Sequence, residues 1–226
     1  MQIGFLVFPN LQQLDLTGPY EIFATAPETT LHLIWKDRAP VTSTTGISFT
    51  PTTTFAECPA LDVLCVPGGL GVNPLMQDAD VLGFLRRQAE TARYVTSVCT
   101  GSLVLGAAGL LRGRRATSHW LAVDLLAAFG ATPTPGRVVR DGNLFTAGGV
   151  TAGIDFGLTV LAEIAGRETA ERVQLHLEYA PAPPFDAGTP DTAPAAVVAA
   201  ARERGAAGRA VRQAIVAAVT GTQSAA

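Results

Sequence analysis

A cysteine stands at the end of the apolar run Tyr94–Val98, and the residues that follow it, 101–108, have the composition of a helix. A strand that turns sharply into a helix lifts the residue at the corner clear of the sheet and points the first N–H groups of the helix at it. Such N–H groups lower the pKa of a thiol, and the thiolate is the nucleophile. We therefore expect Cys99 to be a nucleophile. The alternative is a small buried hydrophobic residue.

The other two cysteines have different surroundings. Cys65 lies inside a second apolar run, between Leu64 and Val66, and we expect it to be an unreactive core residue, whereas Cys58 precedes Pro59 in a loop. Three cysteines form an odd count without close-paired spacing, so the sequence indicates neither a disulfide framework nor a zinc site. Free thiols favour a reducing compartment, and we expect the cytoplasm.

Asp15 is the candidate proton donor. It follows the first apolar strand, so it is expected at the carboxyl edge of a parallel sheet, where ligand sites form. Its neighbours Leu14 and Leu16 are apolar, and a desolvated carboxyl has a raised pKa that suits a general acid. The alternative is that Asp15 only helps to initiate the next helix, which we expect to begin at Thr17 as N-cap.

Two glycine corners accompany these residues. Gly68-Gly69 follows the second apolar strand, and Gly148-Gly149-Val150 follows a predicted hairpin around Asp141-Gly142. Glycine lets the backbone approach a ligand closely and leaves its N–H groups unhindered. With Cys99 and Asp15, these corners have the composition of a nucleophilic site with a proton donor and an oxyanion-type pocket.

His119 is the obvious candidate for the base of a cysteine protease. It lies 20 residues after Cys99 and follows Ser118, which we expect to cap a helix that runs to Phe129 and stops at Gly130. A hydrogen-bonded structural histidine is therefore the open alternative. No histidines and carboxylates have metal-ligand spacing, so we expect no metal.

The elements that would position these residues alternate between strand and helix over residues 1–180 and end in glycine-rich corners. This alternation predicts a flavodoxin-like, doubly wound α/β domain, with a mainly parallel sheet and helices on both faces. Residues 181–194 are rich in proline and predict a surface loop or linker. Residues 195–226 are rich in alanine and predict a helix that packs on the domain or on a dimer partner.

Composition excludes several classes of protein. Of the 226 residues, 48% are hydrophobic and 15% are charged, which is typical of a compact chain with a large core. The net charge of −3 gives no indication of nucleic-acid binding. The apolar N-terminus is too short to span a membrane and lacks the features of a signal peptide, so we expect no membrane association.

These residues fall in motifs that resemble the ThiJ/PfpI group of the class I glutamine amidotransferase-like superfamily. The resemblance covers about residues 1–180. The motifs that carry it are Leu14-Asp15-Leu16-Thr17-Gly18-Pro19, Val66-Pro67-Gly68-Gly69, Val98-Cys99-Thr100-Gly101, Thr117-Ser118-His119-Trp120 and Thr146-Ala147-Gly148-Gly149-Val150. They are specific for the superfamily and less specific for an activity.

Three features narrow the resemblance to the isocyanide hydratases. Asp15 stands where many members have glutamate, Thr100 stands where they have histidine, and the tail 177–190 is similar. The resemblance implies hydration of an isocyanide to an N-substituted formamide by a homodimer that uses no metal or organic cofactor.

The resemblance also implies roles for individual residues. Cys99 would attack the terminal carbon of the isocyanide to form a thioimidate, and Asp15 would be the general acid. Thr100 and the amides around Gly69, Gly148 and Val150 would hold the thiolate and the intermediate.

Two other functions remain open. Transcription regulators use a similar domain as a ligand sensor, but only about 35 residues follow Pro190, which is fewer than a DNA-reading helix-turn-helix module requires. A glyoxalase-like or deglycating hydrolase is less consistent with Thr100 after the nucleophile.

Overall fold

A seven-stranded sheet forms the centre of the computed structural model, which describes residues 1–223. The strands of the chain are β1 (Gln2–Leu6), β2 (Thr30–Trp35), β3 (Val41–Thr42), β4 (Ser48–Phe49), β5 (Thr53–Thr54), β6 (Val63–Val66), β7 (Tyr94–Val98), β8 (Arg115–Ala116), β9 (Thr132–Pro133), β10 (Val138–Asp141) and β11 (Leu144–Ala147). The order in the large sheet is β10-β11-β7-β6-β1-β2-β5, and only the β10–β11 pair is antiparallel. The predicted doubly wound α/β fold is confirmed.

Two groups of helices cover this sheet. The helices are α1 (Gln13–Thr25), α2 (Val72–Leu75), α3 (Ala79–Thr91), α4 (Gly101–Ala107), α5 (Ala152–Ala165), α6 (Arg167–His176) and α7 (Ala195–Gln223), with a 3₁₀ helix at Val123–Phe129. Helices α1, α5 and α6 pack together, while α4 contacts α2, α3, α7 and the 3₁₀ helix. Among residues 1–223, no helix is both long enough and apolar enough to cross a membrane.

The strand order reverses next to β1, which has β2 on one side and β6 on the other. Open α/β sheets bind ligands at such a reversal, outside the carboxyl ends of the strands. Asp15 lies beyond the end of β1, and Gly68 lies two residues beyond the end of β6. The fold therefore brings these two positions together although 53 residues separate them.

Strand β7 lies next to β6, and all five of its residues are buried. Helix α4 begins three residues after this strand and packs closely against β6, as its small residues predict. A Cβ atom on Gly101 would lie 2.0 Å from the carbonyl oxygen of Val66. Glycine at this position is therefore required for the start of α4 to lie against the sheet.

Two predicted helix starts are wrong. Helix α1 begins at Gln13 rather than after Thr17, whose hydroxyl donates to the carbonyl oxygen of Gln13 inside the helix. Asp15 consequently lies in the first turn of α1. The helix expected after Ser118 is a turn followed by the 3₁₀ helix, because the hydroxyl of Ser118 is bonded elsewhere and does not cap it. Gly130 ends that helix with φ of 74°, as predicted.

The C-terminal region ends in a long helix that packs on other helices of the domain. Residues 181–194 form no helix or strand, and α7 then packs on the 3₁₀ helix and on α4. The predicted C-terminal helix extends to residue 226, of which residues 224–226 lie outside the described part of the chain.

Candidate active site

Cys99 occupies a sharp corner between β7 and α4. Its φ is 56°, a left-handed value that few residues other than glycine adopt. The backbone holds this conformation because the N–H of Cys99 donates to the carbonyl oxygen of Ala147 at 3.0 Å. The carbonyl oxygen of Cys99 accepts from the hydroxyls of Ser102 at 3.2 Å and Ser118 at 3.0 Å. The corner is a nucleophile elbow of the kind that the sequence predicts.

Asp15 is fully buried beside this corner, with 0% of its surface exposed. The N–H of Gly68 donates to its Oδ2 at 2.9 Å. Its Oδ1 has no hydrogen-bond partner among residues 1–223. A buried carboxyl oxygen without a partner is energetically costly when the group is ionised, so this oxygen is suited to carry a proton.

Thr100 links the glycine corner to the nucleophile. The N–H of Gly69 donates to the Thr100 hydroxyl oxygen at 3.1 Å. A Cβ atom on Gly68 would lie 2.6 Å from the Thr100 nitrogen and 2.8 Å from Asp15 Oδ2. Only glycine therefore allows the acid, Thr100 and the Gly68-Gly69 corner to meet at these distances.

The electrostatics of Cys99 and Asp15 are coupled. Burial raises the pKa of Asp15 from 3.8 to about 7, although the Gly68 N–H and Cys99 oppose this shift. Burial raises the pKa of Cys99 well above its ordinary value, and the charge of Asp15 raises it further, while the Thr100 N–H and hydroxyl lower it. Burial and the Asp15 charge therefore outweigh the expected lowering of the Cys99 pKa by the helix N-terminus. Because the two groups interact, the release of a proton from one depends on the charge of the other.

The glycine amides are arranged differently from the prediction. The N–H of Gly69 is donated to Thr100, and the N–H of Gly148 is donated to the carbonyl oxygen of Arg137 at 2.9 Å. Both N–H groups thus have an acceptor within the protein, and the role of the amides around Gly69 and Gly148 stays a prediction. Within the described residues, the N–H groups of Gly149 and Val150 donate to no backbone or side-chain acceptor. The free donors of this corner are thus the N–H groups of Gly149 and Val150.

His119 lies at the same edge of the sheet. A Cβ atom on Gly149 would lie 3.8 Å from His119 Cδ2, so the imidazole faces that corner. The Nδ1 atom accepts from the N–H of Leu121 at 3.3 Å, which places the ring proton on Nε2. Burial lowers the pKa of His119, and the charge of Arg212 lowers it further, so the ring is neutral at pH 7. This hydrogen bond is typical of a structural histidine.

The two remaining cysteines have raised thiol pKa values. Burial raises the pKa of Cys65 to about 12 and that of Cys58 to about 11. All three cysteines are free thiols. Among residues 1–223, no group of three histidine, cysteine or acidic side chains is placed to hold a metal ion.

Ser118 is a site residue that sequence reasoning missed. It was expected to cap a helix, yet its hydroxyl supports the carbonyl oxygen of Cys99. The sequence indicated a role for Ser118 only through its place in the motif Thr117-Ser118-His119-Trp120. Local helix capping also explained a serine at this position.

The family model described as the DJ-1/PfpI family matches residues 1–163. The chain belongs to the DJ-1/PfpI family. An isonitrile hydratase of Pseudomonas putida is 66% identical over 206 residues, which cover 91% of this chain and 90% of that protein. A crystal structure of a THiJ/PfpI family protein from Pseudomonas syringae has a TM-score of 0.93 and 47% identity, covering 95% of this chain and 90% of the other.

A more distant relative belongs to another class of protein. The HTH-type transcriptional regulator GbdR of Pseudomonas aeruginosa is 32% identical over 182 residues, which cover 76% of this chain but only 48% of the regulator. The chain thus matches about half of that protein.

Proposed function

We propose that this protein is an isocyanide hydratase, a hydro-lyase that converts R–NC and water into the formamide R–NH–CHO. The observation that carries the proposal is the buried Asp15 carboxyl with one unpartnered oxygen beside the Cys99 elbow. Hydration of an isocyanide requires a nucleophile for the terminal carbon and an acid that protonates the same carbon. The 66% identity to an isonitrile hydratase over most of both chains supports this reaction.

In the first step, Cys99 Sγ bonds to the terminal carbon of the isocyanide and Asp15 donates its proton to that carbon. The product is the thioimidate R–N=CH–S–Cys99, and Asp15 becomes a carboxylate. This step requires the form of the pair in which sulfur has the charge and Asp15 has the proton. A pKa of Asp15 near 7 keeps that proton available at neutral pH.

In the second half, the Asp15 carboxylate accepts a proton from water as the water oxygen bonds to the thioimidate carbon. That proton passes to the substrate nitrogen, giving R–NH–CH(OH)–S–Cys99. When the C–S bond breaks, Asp15 accepts the hydroxyl proton, and the formamide leaves. The thiolate and the carboxylic acid are regenerated, so each turnover consumes one water molecule.

The surrounding residues hold these two groups. Thr100 stabilises the sulfur anion, since both its N–H and its hydroxyl lower the pKa of Cys99. Gly69 orients the Thr100 hydroxyl through its N–H. Gly148 fixes the corner that presents Val150, whose N–H is the free donor we assign to the intermediate.

The two alternatives are not favoured. A ligand sensor has no need of a buried acid with a raised pKa against a thiol at an elbow. A glyoxalase-like or deglycating hydrolase would be expected to carry histidine after the nucleophile, where this chain has Thr100.

The test is to incubate the full chain separately with para-nitrophenyl isocyanide, methylglyoxal and a peptide substrate, and to measure consumption of each. We expect formamide from the isocyanide only. Cys99→Ala and Asp15→Asn should abolish formamide production, whereas Cys58→Ala, a thiol in a loop away from the site, should retain it. Formamide production by Cys99→Ala would disprove the mechanism.

We propose a homodimer as the working form. Leu175 and Phe185 are large apolar side chains that are 82% and 79% exposed in the single chain. A second copy that covers this region would remove them from water. Light scattering on the purified chain tests this, because a mass near 23.4 kDa would correspond to the monomer.

We also propose the cytoplasm as its location. The three cysteines are free thiols, and reducing compartments preserve thiols in this state. Fractionation of cells that produce the protein would test it, with recovery in the periplasm or culture medium as the contrary result.

A further inference from the structure

A corner of four residues, 148–151, joins β11 to α5 beside the nucleophile. Its entry is fixed to the elbow, because Ala147, the last residue of β11, accepts from the Cys99 N–H at 3.0 Å. Its exit lies against α1, since a Cβ atom on Gly153 in the first turn of α5 would lie 2.9 Å from Pro19 Cδ. The corner therefore lies between the strand that leads to the nucleophile and the helix that carries the proposed general acid.

Arg137 contacts this corner at both of its ends. Its carbonyl oxygen accepts from the Gly148 N–H at 2.9 Å. One terminal nitrogen of its guanidinium donates to the carbonyl oxygen of Thr151 at 3.1 Å and to the Thr151 hydroxyl oxygen at 3.3 Å. Between these contacts lie Gly149 and Val150, whose N–H groups have no backbone or side-chain acceptor among residues 1–223. The free donors of the corner are thus enclosed between two contacts with a single arginine.

A carboxylate holds the Arg137 side chain in turn. Its Nε donates to Asp155 Oδ2, and Asp155 lies in the first turn of α5. The other oxygen of Asp155, Oδ1, accepts from the Tyr179 hydroxyl at 3.2 Å, and Tyr179 follows α6. Arginine suits this position because Nε and the terminal nitrogens of its planar guanidinium donate in fixed directions. One side chain therefore joins the corner, α5 and the chain that follows α6.

The exposure of this ion pair limits its effect on the stability of the fold. The Arg137 side chain is 52% exposed and that of Asp155 is 32% exposed. Ion pairs that are accessible to solvent contribute little to the free energy of unfolding. The hydrogen bonds to Thr151 nevertheless fix the backbone at the end of the corner. We therefore expect the pair to affect the position of the corner more than the stability of the protein.

We propose that Arg137 is a positioning residue of the active site, whose ion pair with α5 holds residues 148–151 so that their free N–H groups keep a fixed position beside Cys99. The inference deepens the proposed function and rests on it, since one of these donors is assigned there to the intermediate. A donor that binds the intermediate more strongly than the substrate raises kcat and changes KM little. Loss of the Arg137 contacts should therefore lower kcat and leave KM nearly unchanged.

The first measurement is amide hydrogen exchange, resolved by residue with NMR, in the full chain without substrate. The N–H groups of Gly148 and Ala152 are each hydrogen-bonded at one end of the corner, so their exchange reports how often the corner opens. In Arg137→Gln we expect both to exchange about tenfold faster, because local opening becomes easier. The N–H of Leu103, bonded at the start of α4, is the internal reference and should keep its rate.

The second measurement is the steady-state kinetics of formamide production. We expect Arg137→Gln to lower kcat about tenfold with little change in KM. Asp155→Asn should also lower kcat, and the double variant should lose no more than Arg137→Gln alone, because two residues that act as one unit are not additive.

The matched control is Arg38→Gln. Arg38 forms an ion pair with Glu57, whose side chains are also exposed, next to β2 and β5 at the opposite edge of the sheet. This variant should retain kcat and the exchange rates of the corner. The urea midpoints of Arg38→Gln and Arg137→Gln should be similar, because each variant loses one exposed ion pair.

Three results would overturn the proposal. One is unchanged exchange at Gly148 and Ala152 in Arg137→Gln. Another is faster exchange with an unchanged kcat, because the position of the corner would then not affect the reaction. The third is a much lower urea midpoint for Arg137→Gln than for Arg38→Gln, which would assign Arg137 a purely structural role. The exchange measurement uses no isocyanide, so it tests the contacts of Arg137 independently, whereas a lack of formamide from the unmodified protein would contradict the proposed function.

Discussion

Replacing Asp15 with asparagine should stabilise the fold while it abolishes catalysis. Asparagine keeps the shape of the side chain and an oxygen that accepts from the Gly68 N–H, but it cannot ionise. A pKa raised from 3.8 to about 7 corresponds, at about 1.4 kcal/mol for each pKa unit, to about 4 kcal/mol. This free energy is the difference between ionising the carboxyl in the folded protein and ionising it in the unfolded chain.

The sign follows from where the proton is bound. Below about pH 4, Asp15 is protonated in both states, and its burial has no ionisation cost. Between pH 4 and 7, the unfolded chain releases the proton and the folded protein retains it, so stability falls as pH rises. Above about pH 7 the loss is complete and constant. The advantage of Asp15→Asn should therefore grow by about 2 kcal/mol between pH 5 and 7 and then level off.

The assay is urea-induced unfolding at fixed protein concentration at pH 5, 6, 7 and 8. The free energies of unfolding of Asp15→Asn and the unmodified protein are compared at each pH. Asp191→Asn, at an exposed position, is the matched control and should show a difference that does not change with pH. If the difference for Asp15→Asn is equally flat from pH 5 to 8, Asp15 does not hold its proton at neutral pH, and its assignment as general acid fails.

Three further outcomes test the site. Gly68→Ala should lower kcat/KM and destabilise the fold by about 1–3 kcal/mol, because the new methyl group meets Thr100 and Asp15. The control is Gly188→Ala, which has open space around it and should change neither kcat/KM nor stability. Thr100→Val, measured by steady-state kinetics, should lower kcat/KM more than Thr100→Ser, since valine leaves the Gly69 N–H without its acceptor. Cys65→Ser should lower the free energy of unfolding, measured with heat or urea, by about 1–3 kcal/mol, because it buries a hydroxyl in a strand. Turnover should be retained. Loss of turnover in a folded Cys65→Ser protein would contradict the assignment of Cys65 as a core residue.

The sheet was predictable because its strands are apolar runs that end at glycine or cysteine corners. Buried parallel strands read as continuous apolar stretches, and Val63–Val66 and Tyr94–Val98 are of this kind. The order of the strands then placed Asp15 and Gly68 at one edge, as the general rule for α/β sheets predicts. The fold and the meeting of Asp15 with the Gly68-Gly69 corner thus followed from local patterns.

The errors arose where a polar side chain had two possible partners. Thr17 and Ser118 both match the preference for helix N-caps, but one bonds within α1 and the other reaches the carbonyl oxygen of Cys99. Local sequence reports the preference and contains no information on a partner that folding brings from elsewhere. The acceptors of the Gly69 and Gly148 amides also come from elsewhere in the chain, since they belong to Thr100 and Arg137.

The Cys99 pKa depends on a balance that a sequence does not show. The N–H of Thr100 lowers it, as the helix position predicts, but complete enclosure and the neighbouring carboxyl raise it further. Which effect is larger depends on the depth of the site and on the distance to Asp15.

The hydrogen bonds around the elbow also determine the stage of folding at which the surroundings of Cys99 are formed. They join positions 53, 31 and 19 residues apart, so a partly folded chain lacks some of them. Contacts between distant positions form only after the intervening loops are closed. A nascent or unfolding chain therefore exposes an ordinary thiol, and the arrangement of Cys99 beside Asp15 exists only in molecules whose folding is complete.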